Sequence, residues 1–221
     1  THIDHSPAAA PFKAATGAPT YGFGPHVAGR VWAAGGAGES RGGDRDFAPD
    51  RAIGDGDVVE GPGWSFEAVH TPGHTHNHLC FKLRETDALF SGDHVMGWST
   101  TVVSPPDGDM RDYMASLDKL LAREDPIYWP THGPAITDPK RHVTALKAHR
   151  EARETAIGAA LETGLSGIPE IVRHLYTDIP EKLLPAAERT THSHLVHMIE
   201  TGRAVSDGAP TADARYGPAG A

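Results

Sequence analysis

Six side chains of metal-ligating type fall in four short clusters along this 221-residue sequence. His2-Ile3-Asp4-His5 puts three of them into four residues, and only a tight turn following a strand can aim all three at one point. Thr71-Pro72-Gly73-His74-Thr75 places His74 directly behind a Pro-Gly turn. Ser91-Gly92-Asp93 and Thr131-His132-Gly133 repeat the arrangement with a carboxylate and another imidazole. Any one of these is explained as well by a capping aspartate or a surface histidine, but four in succession at strand ends are not. Imidazole and carboxylate suit divalent ions, and two ions about 3.5–4 Å apart share a water and lower its pKa toward about 7. The chemistry that such ligands could support is hydrolysis by a metal-activated water, without a protein nucleophile.

Such ligands need strand ends to carry them. Val58-Val59, Trp64 to Val69, Leu79-Phe81-Leu83 and Ala88-Leu89-Phe90 are short apolar runs separated by Gly, Pro or charged turns, which predicts strands of one sheet. His74 then follows the strand through Val69, Asp93 the strand ending near Phe90, and His132 a strand over Ile127-Tyr128-Trp129. Met114, Leu117, Leu120 and Leu121 recur at helical spacing, and Pro139 suits the first turn of a long helix using Val143, Leu146, Ile157 and Leu161 and ending near Gly164. Strand and helix alternate, so the class expected is α/β. Ahead of the sheet, Pro7 to Lys13 fits a short helix, and Gly17 to Gly56 reads as a loop-rich connection.

In their order these clusters resemble the signature of the metallo-β-lactamase superfamily: His-x-His-x-Asp-His, then a lone His, a bridging Asp and a last His. The resemblance runs from Thr1 to about His149 and implies an αββα sandwich. It implies one metal held by His2, His74 and Asp93, and another by Asp4, His5, Asp93 and His132, with Asp93 as the bridge and Asp4 or Asp93 as the catalytic carboxylate that orients the shared water. The signature's first His would lie one position upstream of Thr1. The expectation is a chain that begins just after that ligand and lacks the sheet this family builds from its N-terminal residues. Its apolar strands would be left without partners and the polypeptide poorly stable. Two divalent ions are the implied cofactors, with Zn2+ the default and Fe or Mn suited to an oxygen-rich second position.

Other histidines compete for a role. On an extended strand residues 74, 76 and 78 would share one face, but the turn at His74 breaks that alternation. His78 is kept as a residue supporting the ligands or facing substrate, whereas His76 reads as solvated. His94 is as well placed to point into the protein. His192, His194 and His197 stand two and three residues apart on a helix, which scatters them over its surface, and a solvated helix face is expected.

Beyond the long helix, amphipathic patterns around Ile168 to Tyr176 and Pro185 to Ile199, then Gly202 and an Ala204-Val205 strand, spell a winged helix. The segment resembles the winged-helix module attached to a β-lactamase-like subgroup that includes hydrolases of esters or thioesters and some nucleases. The expected division is a catalytic domain over 1–149, the module over 150–206, and a disordered tail over 207–221, where no apolar pattern remains. The helix that would read a DNA groove offers Arg189 as its one permanent cation beside Glu188 and Glu200. The module is therefore expected to wall the substrate cleft, with homodimerisation as a further role.

A formal charge of −9 works against tight binding to phosphate backbones, which disfavours a nucleic-acid substrate while leaving it open. No run approaches the roughly 20 apolar residues of a membrane span. Cys80 is the one cysteine, reads as strand core, and suits a reducing compartment, here the cytoplasm. The function expected is hydrolysis of a small-molecule ester, thioester or related acyl substrate. A single-strand endoribonuclease shares the metal chemistry but wants a basic channel and stacking aromatics, against which 20 Lys plus Arg and 7% aromatics stand. A noncatalytic metal-binding or interaction protein is the third option, supported by the absent first His alone.

Overall fold

The computed structural model of the chain describes residues 1–26 and 42–220. The opening cluster runs into a 3-10 turn over Ser6–Ala8 and helix α1 (Ala9–Thr16), which stops where Gly17 turns left-handed with φ 70. Two-residue strands β1 (Tyr21–Gly22) and β2 (Arg51–Ala52) pair in parallel. The loop-rich connection predicted over 17–56 thus carries some structure at both ends, and its middle lies outside the described residues.

The predicted sheet follows. Strands β3 (Val58–Gly61), β4 (Trp64–His70), β5 (Leu79–Leu83) and β6 (Ala88–Gly92) form an antiparallel meander. Strand β7 (Tyr128–Pro130) pairs with β6 in parallel, which requires a crossover, and α2 (Met110–Leu121) supplies it. The register sets Val69 opposite Cys80, Lys82 opposite Leu89 and Leu89 opposite Tyr128, so these residues share one face. That face packs on α2 and on the first half of α3 (Pro139–Glu162), where Leu117, Leu120, Val143 and Leu146 complete a core. Each such side chain contributes about 1.5–3 kcal/mol by leaving water. Burial also pushes the Cys80 thiol up to about 12, which leaves it inert.

The opposite face carries Phe66, Phe81, Phe90 and Trp129. Phe66 meets Phe81 and Phe90 edge-on at 6.5 and 5.5 Å, yet Phe90 and Trp129 stay 40% and 46% exposed. Among the described residues, then, one five-stranded sheet has helices on one side and an open apolar surface on the other. No helix among them is long and apolar enough to cross a membrane.

Helix α3 starts at Pro139 with Asp138 capping the Arg141 N–H at 3.1 Å, and Gly164, with φ 91, follows its end. Between Leu146 and Ile157 it passes from the first core into a second. There Ile157 and Leu161 pack with α4 (Ile168–Leu175), α5 (Leu184–Glu200) and a hairpin of β8 (Ala204–Ser206) and β9 (Tyr216–Pro218). Helix, turn, helix and hairpin form the winged-helix arrangement the sequence spells.

Two expectations are corrected here. The tail over 207–221 is not disordered as far as it is described: β9 pairs with β8, and Tyr216 is only 3% exposed with its hydroxyl donating to the Thr211 carbonyl at 2.6 Å. One aromatic among Gly, Pro and Ala shows no period, so its burial was invisible locally. Nor are His192, His194 and His197 a solvated face. His194 is fully buried, and its Nδ1 and that of His197 lie 3.1 and 2.7 Å from one Glu154 oxygen. Arg203 donates to the other oxygen at 2.5 Å. Burial pushes the Glu154 carboxyl up, but the two histidines outweigh it and hold it well below the usual range. This buried carboxylate clamps α3 to α5 and the start of β8.

Candidate metal centre

The predicted ligands stand in turns whose backbone is set by close packing or by local hydrogen bonds. His74 lies between β4 and β5. Gly73 holds φ 135, and a Cβ there would fall 2.3 Å from the Tyr113 Cα, so only glycine lets this turn rest on α2. Asp109, which caps α2, also donates its N–H to the Gly73 carbonyl at 2.9 Å. Asp93 follows β6 behind Gly92, where φ is 56 and an added Cβ would lie 2.6 Å from the His78 Nε2. His132 follows β7, and its carbonyl accepts from the Gly97 N–H at 2.8 Å. At the start of the chain the N–H groups of His5 and Ser6 both donate to the His2 carbonyl, at 3.0 and 3.1 Å, which closes the tight turn that His2, Asp4 and His5 require.

The four clusters converge on one floor as two sets, His2 with His74 and Asp93, and Asp4 with His5 and His132, the donor atoms within each set lying within 4.8 Å of one another. His74 Nε2 is 3.2 Å from His2 Nδ1 and 3.5 Å from Asp93 Oδ2. His5 and His132 Nε2 each lie 3.5 Å from Asp4 Oδ2, and they also reach Asp93, His5 at 3.0 Å to Oδ2 and His132 at 3.4 Å to Oδ1. Asp93 thus touches both sets. An ion bound tetrahedrally by nitrogens about 2.0–2.1 Å away has neighbouring donors roughly 3.3–3.4 Å apart, so these spacings fit divalent cations.

Surrounding groups aim the donors. His74 Nδ1 lies 2.8 Å from the Val102 carbonyl and 3.0 Å from the Thr101 hydroxyl, which directs Nε2 to the floor. Arg150 of α3, only 2% exposed, donates to the Thr101 carbonyl at 2.5 Å and lies 5.1 Å over the Tyr113 ring. Thr131 donates to Asp93 Oδ1. Burial, then the charge of His74, push the His2 imidazole down to about 4 against the pull of Asp93. Burial alone would raise the Asp93 carboxyl, but hydrogen bonds from His74 and Thr131 and the charges of His74 and His5 hold it well below the usual range. Neutral imidazole and ionised carboxylate are the forms a cation binds.

His78 backs the site: its Nδ1 meets the Thr71 hydroxyl at 2.8 Å, and its ring sits 6.3 Å from His74 and 5.6 Å from His94. His76 is exposed, and His94 is fully buried beneath Asp93. Thr101, Thr131 and Arg150 were not singled out from sequence. Thr131 could have been, since it precedes His132, but nothing local marks a helix-borne arginine as a partner of residue 101.

Above the floor opens a cleft of about 850 Å3 with His2, Asp4, Asp93 and His132 on one side and Ile168, Glu188, Arg189, His192 and Asp213 of the winged helix on the other. The module walls the site.

The sequence matches the family model of the metallo-beta-lactamase superfamily over residues 1–132 and that of the beta-lactamase associated winged helix domain over residues 168–213. An atrochrysone carboxyl ACP thioesterase of Paecilomyces divaricatus is 40% identical over 112 residues, covering 51% of this chain and 34% of the relative. A lactamase-like protein of Aspergillus niger is 31% identical over 175 residues, covering 73% of this chain and 54% of the relative. The chain therefore spans between about a third and about half of the length of these relatives. A solved metallo-beta-lactamase family protein of Thermus thermophilus superposes with a TM-score of 0.65 at 26% identity, covering 77% of this chain and 56% of that one.

Proposed function

The chain belongs to the metallo-beta-lactamase superfamily and carries its associated winged-helix domain, and on that footing we propose that it is a metal-dependent hydrolase of thioesters. The observation that carries this reading is the pair of three-donor sets, linked by Asp93, on the floor of a cleft large enough for an acyl substrate. Relatives named as thioesterases support the choice of thioester over ester.

In this reading His2, His74 and Asp93 would hold one divalent ion, and Asp4, His5 and His132, with Asp93 in reach of both sets, would hold a second. Zinc is the metal that nitrogen-rich sets of this kind favour. When bound, such ions supply Lewis-acid polarisation and a water acidic enough to ionise near neutral pH. The chain's own residues do the rest. Val102 and Thr101 fix the His74 ring, and Thr131 fixes the Asp93 carboxylate. Asp4, a cleft-lining carboxylate, is placed to accept a hydrogen bond from the attacking water and orient it. Met96, Val102 and Ile168 offer apolar surface to an acyl chain and exclude water. An endoribonuclease would need basic lining, and Arg189 is the one Lys or Arg among the described lining residues.

The test is to count metal ions per chain and to compare wild type with Asp93→Ala on acyl thioesters, p-nitrophenyl esters and single-stranded RNA. Two ions per chain, with thioester hydrolysis lost by at least about 100-fold in Asp93→Ala, is the expected result. Absence of metal, or cleavage of RNA alone, refutes the reading.

A further inference from the structure

Helix α5 turns one face to the cleft: Pro185, Glu188, Arg189 and His192 all line it, and their spacing of three, one and three is that of a single helical stripe. In a DNA-binding winged helix this element would enter a groove. Here it faces the metal-ligating floor instead. His192 on that stripe is committed, its Nε2 lying 2.8 Å from the Pro210 carbonyl, and burial pushes its pKa down.

Arg189 is not committed. It is half-buried, it lines the cleft, and it makes no hydrogen bond or ion pair with any described residue. A guanidinium taken partly out of water without an acceptor is unfavourable, and its planar fork is shaped for two oxygens of a carboxylate or phosphate. Glu188 and Asp213 share the wall, so the wall as a whole does not attract anions. Any selection must come from the fork itself.

We propose that Arg189 is the specificity residue of this cleft and binds an anionic oxygen group of the thioester substrate. The inference rests on the thioester reading above. A thioester can carry the group on either side of the scissile bond: a carboxylate on the acyl chain, or a phosphate on the arm of the thiol. The module then does more than narrow the cleft. It sorts substrates by a charge placed away from the reacting carbonyl, in the manner of remote binding energy.

The experiment compares wild type, Arg189→Gln and Arg189→Lys on three thioesters: butyryl-N-acetylcysteamine, which is neutral, glutaryl-N-acetylcysteamine, with a carboxylate on the acyl side, and butyryl-coenzyme A, with phosphates on the thiol side. Arg189→Gln is expected to raise KM for one of the charged substrates about 10-fold or more beyond its effect on the neutral one, with kcat little changed. Lysine should restore part of that difference, since it keeps the charge but not the fork. Whichever charged substrate responds identifies the side on which the anion sits. The same three compounds as thioethers, with CH2 in place of the thioester carbonyl, are titrated by calorimetry. An equal penalty on all three compounds, or none, overturns the proposal. Arg189-dependent thioether binding without thioester hydrolysis would keep the anion site and overturn the thioester reading instead.

Discussion

Gly73→Ala perturbs the turn that presents His74 without altering any ligand. Residue 73 holds φ 135, and imposing such a conformation on a residue with a side chain costs on the order of 1–3 kcal/mol. The new Cβ would also lie 2.3 Å from the Tyr113 Cα, 2.5 Å from its N and 2.6 Å from its Cβ. Two of those atoms are helix backbone, so no rotamer change relieves the overlap, and overpacking of this kind costs about 1–3 kcal/mol. The sum, about 2–6 kcal/mol, is a large part of the 5–15 kcal/mol that a folded domain has available. Swinging the turn off α2 would relieve the overlap but would pull the His74 Nδ1 from Val102 and Thr101. Urea unfolding at constant m, together with metal counted per chain on the same preparation, therefore reads both outcomes. A stability loss below about 0.5 kcal/mol, the range of an ordinary surface change, with metal content unchanged, would refute this account of how the turn is seated.

Two further changes probe the links between the layers. Arg150→Met keeps the buried stem but removes the donor to the Thr101 carbonyl, so a loss of about 1–3 kcal/mol is expected. If the proposed metal site is held through His74, a chelator should then strip metal from this variant earlier than from wild type, and an unchanged chelation curve would disconnect Arg150 from His74. His194→Gln tests a proton linkage: burial pushes His194 down to about 4 from 6.5, with Glu154, His197 and Arg150 facing it. The folded state keeps this ring neutral while the unfolded chain protonates, so its stabilising share is full above pH 6.5 and is lost as pH falls toward 4. Glutamine does not titrate, and it should remove about 2 kcal/mol of the stability lost between roughly pH 7.5 and 5. Equal acid slopes in denaturant unfolding would show that His194 carries no such linkage.

What the sequence determined by itself is what nearest neighbours encode. Apolar runs broken by Gly and Pro mark β3 to β7, Pro139 and Gly164 bracket α3, and His74, Asp93 and His132 each follow such a run directly. The reach of Arg150 to Thr101, the burial of His194 on Glu154 and the pairing of β9 with β8 join residues 49, 40 and about 12 positions apart, and no local period records them. The division of the six donors into two sets that meet at Asp93 is what the family resemblance already implies; only the tertiary structure laid the Pro185, Glu188, Arg189 and His192 face over them. The physical reason is one of range: turns and amphipathic periods are set by contacts within a few residues. The meeting of the floor with its wall depends on α3 running continuously through two cores, which carries the module back over the ligands.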